Sequence, residues 1–447
     1  MEFKIFIDVL FKEAKKVGFE EYEVYYTDSE SLSINIYKEE VDKYKLTNSY
    51  GLSFRGKIGN RIGYSYTQIL DKDAIDMMIR NAKESALAIE NNDIQFIYEG
   101  DKDYKEIESY YTELENINPE KLIEMGMQME KECKLLSDKV HNFSACGIGY
   151  SNSKYGIINS KGLNLENKSN LLTAYVCPII KDGENMHDGM GYAVATSLNE
   201  VNPKKIAEDG VKEALSKIGA KSIPSGIYKV VINNEAMVSM LSTYAGIFSA
   251  DATQKGLSLL KDKEGEAIAS SIVTLVDDPH LYKGLGSVSF DDEGVATSKT
   301  ELIKCGVLNT LIHNLRTANK ENKTTTGNGF KASYASPVGV SPTNFYIEPG
   351  DKTFDELLEE VVEGLIITDF AGLHSGANSI TGDFSLAAKG FYIKDGKKTF
   401  PVEQITVAGN FFKLLKDINR IGTDLKFPMS SVGSPSVIVN ELSVAGK

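Results

Sequence analysis

The chain has 447 residues, 42% of them hydrophobic and 25% charged, and 63 acidic against 49 basic side chains leave a net charge of −14. A chain of this length exceeds one ordinary hydrophobic core, so we expect two domains. The negative charge disfavours direct binding to nucleic acid or to anionic membranes, and no apolar run reaches the length that spans a bilayer.

The N-terminal segment is predicted to be an amphipathic helix, because apolar residues recur at helical spacing (Phe3, Ile7, Leu10, Phe11 and Ala14). Charged residues interrupt it at Glu2, Lys4 and Asp8, unlike the apolar region of a signal peptide. We therefore expect a cytoplasmic protein whose cysteines are reduced core thiols (Cys133, Cys146, Cys177 and Cys305).

Three further helices are predicted in the first half of the chain. Asn118-Pro119 and Asn202-Pro203 each combine a favourable N-cap with proline at the first helical position. A third helix, at about 72–89, is indicated by its apolar spacing. Each helix has one apolar face that can pack on a sheet.

Between these helices the sequence predicts strands, at Glu21–Tyr26 and Leu32–Tyr37, and turns at 160–162 and 181–183. Residues 50–89 and 171–218 share an order of strand, turn, strand, loop and helix. This order indicates an internal repeat, although any α+β domain can produce such an echo.

A linker is predicted at 220–228, where Pro224 and Gly226 interrupt the pattern. Downstream, helices are expected near 235–249 and 353–364, and the rest is strand and turn. The predicted fold class is α+β. It has an N-terminal α+β domain of hairpins and helices, residues 1–222, and a β-rich C-terminal domain, residues 223–447.

The histidines argue against a metal site in this chain. A helical zinc site needs two histidines one turn apart. No two of the five are that close (His141, His187, His280, His313 and His374). We expect no metal and no other cofactor here.

The acidic run Asp291, Asp292 and Glu293 allows two interpretations. Adjacent carboxylates can bind a hard cation or hold different pKa values for acid–base chemistry. An Asp-Asp-Glu-Gly run is more often a solvated turn whose side chains bind nearby backbone N–H groups. We favour the solvated turn.

The segment Gly372–Ile393 is the strongest candidate site. His374, Ser375 and Asp383 supply the residue types of a hydrolase triad, but neighbouring side chains seldom meet in that way and no GxSxG motif is present. Its glycines favour tight turns, which Asn378, Thr381 and Asp383 are suited to cap. We predict no catalytic residue here.

Several segments together resemble the TldD/PmbA family. They are "TGDFSLAAKGFYIKDGK" and "FPVEQITVAGNFFKLLKDI" within 381–418, "FDDEGVATSKTELIKCGVLNTLIHNLRTANK" at 290–320 and "TTTGNG" at 324–329. The hairpin and alanine-rich helix at 50–89 also fit, so the resemblance covers nearly the whole chain.

The resemblance also indicates a branch of that family. In the TldD branch a helix carries HExxxH, and a cysteine near the C-terminus completes a metal site for peptide hydrolysis. Here Ser242, Thr243 and Ile247 stand at the matching positions, and residues 425–439 contain no cysteine. The chain is thus similar to the PmbA branch, also called TldE.

What this resemblance implies is the metal-free subunit of a heterodimeric metallopeptidase that processes unfolded peptides and peptide precursors. A TldD-like partner would carry the zinc or iron, and this chain would be active only beside it. An extended peptide could add as a strand to the β-rich C-terminal domain. The expected contacts to peptide or partner are His374, Ser375, Asn378, Thr381 and Asp383.

Three alternatives stay open at this point. The chain could be a homodimer that binds peptides without cutting them, or an independent hydrolase that uses His374 and a serine. It could also act on DNA gyrase through protein contacts, which the family's older label suggests.

Overall fold

The computed structural model describes residues 1–90 and 95–447, which group into two compact units. The first unit contains residues 1–216, 288–297 and 314–339. The second contains residues 217–287, 298–313 and 340–447. Two segments from the later part of the chain thus belong to the first unit, whereas the division at residue 222 assigns them to the C-terminal domain.

The first unit alternates helices with long antiparallel strands. Its elements in chain order are α1 (Phe3–Lys16), β1 (Glu21–Tyr37), β2 (Glu40–Ile58), β3 (Arg61–Thr67), α2 (Lys72–Ala88), α3 (Pro119–Leu136), β4 (Val140–Asn159), β5 (Asn164–Asp182), β6 (Asn185–Asp188), β7 (Gly191–Ala195), α4 (Pro203–Ser216) and, from a later segment, α7 (Leu315–Glu321).

The strands form one seven-stranded sheet in the order β3-β2-β1-β4-β5-β6, and β7 also pairs with β5. Each half of the sheet follows one pattern, in which a helix is followed by two long strands, short strand segments and a second helix. The antiparallel pair β1–β4 joins the halves at the centre. This arrangement matches the repeated layout that residues 50–89 and 171–218 predict.

Helix start signals are confirmed by the capping geometry. The Asn118 side chain accepts a hydrogen bond from Glu120 N at 2.9 Å, and Pro119 occupies the first turn. The Asn202 side chain accepts one from Lys205 N at 3.2 Å. Helices α1 and α2 share one hydrophobic core, and α3 and α4 share a second, because each presents its apolar face to the sheet.

Two local predictions are wrong. The strands expected at Glu21–Tyr26 and Leu32–Tyr37 are one continuous strand, since β1 runs unbroken from Glu21 to Tyr37. Cys305 is exposed in a turn with a positive φ of 47°, so it is no core thiol, and Cys177 is half-buried. Cys133 and Cys146 are buried free thiols as predicted.

The second unit contains the remaining helices and strands. They are β8 (Gly226–Ile232), α5 (Asn234–Tyr244), α6 (Ala250–Gln254), β9 (Leu275–Asp277), β10 (Thr300–Lys304), β11 (Val307–Leu308), β12 (Phe345–Ile347), α8 (Phe354–Val361), β13 (Gly364–Ala371), α9 (Leu373–Gly376), β14 (Asp383–Lys394), β15 (Lys397–Asn410), α10 (Phe411–Asp417), β16 (Ile418–Ile421), β17 (Val432–Gly433) and β18 (Val437–Ala445).

Five strands of this unit close into a barrel. The order β15-β14-β13-β8-β18 returns on itself because β18 also pairs with β15, at Thr406–Ala445 through Ala408–Ser443. The first part of β18 pairs with β16 on that same side. A smaller sheet has the order β11-β10-β9-β12-β17. The predicted α+β class, with a β-rich C-terminal part, is confirmed.

Within residues 1–90 and 95–447, no helix is both long enough and apolar enough to cross a membrane.

In each half of the first unit, one glycine lets a helix approach the sheet closely. A Cβ on Gly63 would lie 1.7 Å from the carbonyl oxygen of Ala82 in α2. A Cβ on Gly191 would lie 1.8 Å from the carbonyl oxygen of Ile206 in α4. Both obstacles are backbone atoms, which cannot rotate away as a side chain can.

We therefore expect Gly63→Ala to destabilise the protein by about 1–3 kcal/mol, because α2 must shift to admit the methyl group. Urea unfolding measures the loss. Gly246→Ala is the control, since a Cβ there meets nothing within 4 Å. Equal stability of the two variants would contradict the packing.

Candidate functional site

The segment that begins at Gly372 forms a compact loop on the second unit. It follows β13, contains the single turn of α9 and ends where β14 begins at Asp383. Gly372 and Gly382 have φ angles of 82° and 83°, in the left-handed region that favours glycine. The predicted glycine-shaped turn is present.

Three predicted residues hold this loop together. The Asn378 side-chain oxygen accepts hydrogen bonds from Ile380 N at 2.9 Å and Thr381 N at 3.1 Å. Thr381 Oγ1 donates to Asp383 Oδ2 at 2.8 Å. Asn378, Thr381 and Asp383 therefore cap the turn, as their residue types predict.

Asn410 also fixes the loop. Its Nδ2 donates at 2.9 Å to both the Thr381 carbonyl and Asp383 Oδ1, and its Oδ1 accepts from Phe412 N at the start of α10. The bonds from Asn410 and then from Thr381 lower the pKa of Asp383. Asp383 therefore remains a carboxylate in neutral solution and is unsuited to act as a general acid there.

Tyr244 supports the loop from beneath. Its buried ring stacks on Phe411, with ring centroids 4.4 Å apart and planes 12° apart. Its hydroxyl lies 3.2 Å from the carbonyl oxygens of Gly382 and Asp383 and donates to them. Burial raises the Tyr244 pKa to about 12, so the hydroxyl keeps its proton. Sequence analysis missed this residue, although it follows Thr243 directly.

The loop borders an open concavity of about 560 Å³. All five predicted contact residues are exposed, and three of them line this concavity: Ser375, Asn378 and Asp383. Ile380 and Phe384 add apolar surface beside these polar groups. The concavity therefore combines polar and apolar lining.

The loop does not form a catalytic triad. Ser375 Oγ donates to the Gly372 carbonyl at 3.3 Å. In the part of the chain that the structure describes, no hydrogen bond joins His374 to Ser375 or Asp383. Ser375 therefore lacks the adjacent base that would activate it as a nucleophile.

The three residues predicted to stand at the HExxxH positions do not converge. Ser242 is exposed, Thr243 Oγ1 donates to the Ser239 carbonyl at 2.8 Å, and Ile247 is a core residue with 2% of its surface exposed. Helix α5 ends at Tyr244, and a 3₁₀ turn carries Ile247 inward. Across the described ranges, no group of three or more His, Cys, Asp or Glu side chains could hold a metal ion.

The acidic run is buried in the first unit, so the prediction of a solvated turn is wrong. Asp291, Asp292 and Glu293 expose at most 5% of their surface. The predicted turn chemistry is present, because Asp291 Oδ1 accepts from Glu293 N at 2.9 Å and from Val295 N at 3.0 Å. The burial of this run could not be predicted from the local sequence, because the residues that cover it lie far away in the chain.

Arg55 on β2 is the cation at the centre of this cluster. Its Nη2 lies 2.6 Å from Glu23 Oε1, and its Nη1 lies 3.5 Å from Glu293 Oε1. Burial acts against the charge, yet Glu23 and Glu293 raise the pKa of Arg55 above its ordinary value. Glu293 also accepts from Leu315 N at 2.8 Å, which fixes the start of α7.

Lys331 is the second cation of the cluster. Its Nζ donates to Ser53 Oγ at 2.8 Å and lies 4.7 Å from the ring centroid of Tyr25. Its backbone N donates to Asp292 Oδ2 at 2.7 Å. Burial, and next the charge of Arg55, lower the pKa of Lys331 to about 7, and burial raises that of Asp292 to about 6. The carboxylates are thus occupied by the protein's own donors, which favours a structural role over metal binding.

Family models match three successive parts of the chain. Residues 22–86 match domain 1, residues 112–218 the central domain and residues 225–446 the C-terminal domain of the PmbA/TldA metallopeptidases. The first two segments coincide with the two halves of the seven-stranded sheet. The third contains the barrel and the loop.

Individual proteins are similar over nearly their whole length. An uncharacterized protein of Methanocaldococcus jannaschii is 30% identical over 92% of this chain and 93% of its own. A metalloprotease PmbA homolog of Buchnera aphidicola is 26% identical over 95% of this chain and 93% of its own.

Solved structures share the fold. A Thermotoga maritima protein described as a modulator of a DNA gyrase has a TM-score of 0.92 and 33% identity, with 99% of this chain and 100% of that chain covered. TldE from Thermococcus kodakarensis has a TM-score of 0.89 at 21% identity, with 99% and 100% covered, and shows the fold alone.

The paired-hairpin sheet and the strand barrel lie within the segments that match the PmbA/TldA metallopeptidase domain models. The chain belongs to the PmbA/TldD family.

The buried lysine generates a pH prediction. Because the folded-state pKa of Lys331, about 7, lies below its ordinary 10.5, unfolding takes up a proton between these values. Stability therefore gains a contribution as pH rises above 7. We expect Lys331→Met to lack this rise when urea unfolding is measured from pH 7 to 9. Lys12→Met, at an exposed lysine on α1, should retain it. Parallel profiles for wild type and Lys331→Met would show that the amine titrates normally.

Proposed function

We propose that this chain is the metal-free subunit of a TldD/TldE-type metallopeptidase complex, which processes or degrades unfolded peptides and peptide precursors in the cytoplasm. The observation that carries the proposal is the state of the HExxxH positions. Ser242, Thr243 and Ile247 stand there, and they point apart as an exposed, a hydrogen-bonded and a buried side chain.

Peptide hydrolysis near neutral pH needs a strong nucleophile, which a metal-bound water supplies in metallopeptidases. The relatives named metalloproteases belong to the same family. A TldD-like partner would supply the zinc or iron. This chain would contribute its scaffold and one wall of the peptide site.

The loop beside α5 is the surface for peptide or partner. His374, Ser375, Asn378, Thr381 and Asp383 are all exposed on it, and the concavity offers both polar and apolar lining. Caps from Asn378 and Asn410 hold its backbone, so little conformational entropy is lost when a ligand binds.

The test compares the chain alone with the chain mixed with a TldD-like subunit from the same organism, using an unstructured peptide as substrate. We expect cleavage only in the mixture, and loss of cleavage on chelation. Chelator-insensitive cleavage by the isolated chain would support the independent hydrolase instead. Stable peptide binding by a homodimer, with no gain from the partner, would support the binding protein.

Replacing His374 tests whether this residue contacts peptide or partner or instead stabilises the fold. Because the side chain is exposed, we expect His374→Ala to change the free energy of unfolding by no more than about 0.5 kcal/mol while it lowers the activity of the mixture. His141→Ala is the matched control, at an exposed histidine of the first unit. Full activity of the His374 variant would remove this residue from the proposed surface, and Ser375→Ala should not abolish turnover.

A further inference from the structure

The outer edge of β2 is bare over part of its length. Residues 52–58 pair with β3 on one side and β1 on the other. Residues 40–50 pair with β1 alone among the strands of the described chain. Backbone donors and acceptors on the outer side of this stretch are therefore available to another strand.

The other half of the same sheet shows what covers such an edge. Strand β5 occupies the position equivalent to β2, and residues 109–111 run beside its first part. Asn170 N donates to the Ser109 carbonyl at 3.0 Å, and Ser109 Oγ donates to the Lys168 carbonyl at 2.7 Å. Asn170 and Tyr111 exchange two more bonds, at 2.8 and 3.0 Å. Among residues 1–90 and 95–447, no segment covers the equivalent edge of β2 in this way.

The two faces of the bare edge differ in chemistry. Apolar side chains lie on the face of α3, opposite Ile36, Ile34 and Leu32, and are 39%, 51% and 51% exposed (Val41, Tyr44 and Leu46). On the other face lie Lys43 and Lys45, opposite Asn35 and Ser33. In residues 1–90 and 95–447 neither lysine lies within 4.0 Å of a carboxylate. They form a positive patch on a protein of net charge −14.

A second copy of the chain fits this edge poorly. Two-fold antiparallel pairing centred on Lys43 sets Lys43 against Lys43, and pairing centred on Tyr44 sets Lys43 against Lys45 twice. A centre at Lys45 brings the copy's turn, which begins at Lys38, against Leu52, where β3 already pairs. In these three registers, like charges or lack of space disfavour pairing with a second copy.

We propose that the edge of β2 from residue 41 to 49 binds an extended segment of a partner polypeptide in which acidic and apolar side chains alternate. The segment adds as a strand through its backbone. Because alternate residues face opposite sides, its acidic side chains meet Lys43 and Lys45 while its apolar side chains cover Tyr44 and Leu46. This inference is independent of the proposed peptidase complex.

The probe is a capped, fluorescein-labelled peptide of alternating Glu and Val, titrated with the full chain and followed by anisotropy. We expect saturable binding that weakens about tenfold with Lys43→Glu plus Lys45→Glu, because two cross-strand charge pairs become repulsive. A Lys-Val peptide should show the reverse preference and bind the double variant better than wild type.

Two controls test whether the edge and its lysines are responsible. Lys12→Glu plus Lys15→Glu on α1 should leave binding unchanged, and N-methylation of alternate peptide residues should abolish it. If the double variant fails to fold, the preference of the wild-type chain for the Glu-Val over the Lys-Val peptide still decides. Absent binding, no charge preference, or a dimer of the free chain that Leu46→Lys disperses would each overturn the proposal.

Discussion

The buried charge cluster around Arg55 is the constraint on which the first unit depends. Arg55 and Lys331 are its cations, and they lie beside Glu23, Asp292 and Glu293. Removing one partner of such a cluster leaves a buried charge without compensation, which typically costs about 3–5 kcal/mol. Since Glu293 and Lys331 come from late segments of the chain, the cluster also binds residues 288–297 and 314–339 to the N-terminal sheet. The two sequence-distant parts therefore fold as one unit.

The second unit is stabilised by strand pairing and a hydrophobic core. Its barrel closes through β15 and β18, and the hydrophobic core includes most of the inward face of α5. Tyr244 extends that core to the surface, because its ring stacks on Phe411 while its hydroxyl meets two carbonyls of the capped loop. Tyr244 thus ties helix α5 to the exposed loop. A change in the position of α5 would move the loop with it.

Local signals in the sequence predict local structure well here. The Asn-Pro helix starts, the apolar face of α1 and the capped turn at Asn378 depend on residues within a few positions of each other. The burial of Glu293 and the support from Tyr244 depend on partners that lie more than a hundred residues away, such as Arg55 and Phe411. A single sequence does not display those pairings, so the acidic run looked like a solvated turn. The substrate role of the loop residues stays a prediction for the same reason.

Strand addition was expected in the β-rich C-terminal domain, but barrel closure alters where it can occur. Closure pairs β15 with β18, so each of the five barrel strands pairs with another strand on both sides. The bare stretch of β2 lies instead in the first unit, on a sheet whose other half covers the equivalent edge with its own chain. In the described chain, residues 40–50 of β2 therefore lack a second strand neighbour, while both hydrophobic cores stay intact. Backbone pairing at an edge and side-chain packing on a face use different atoms.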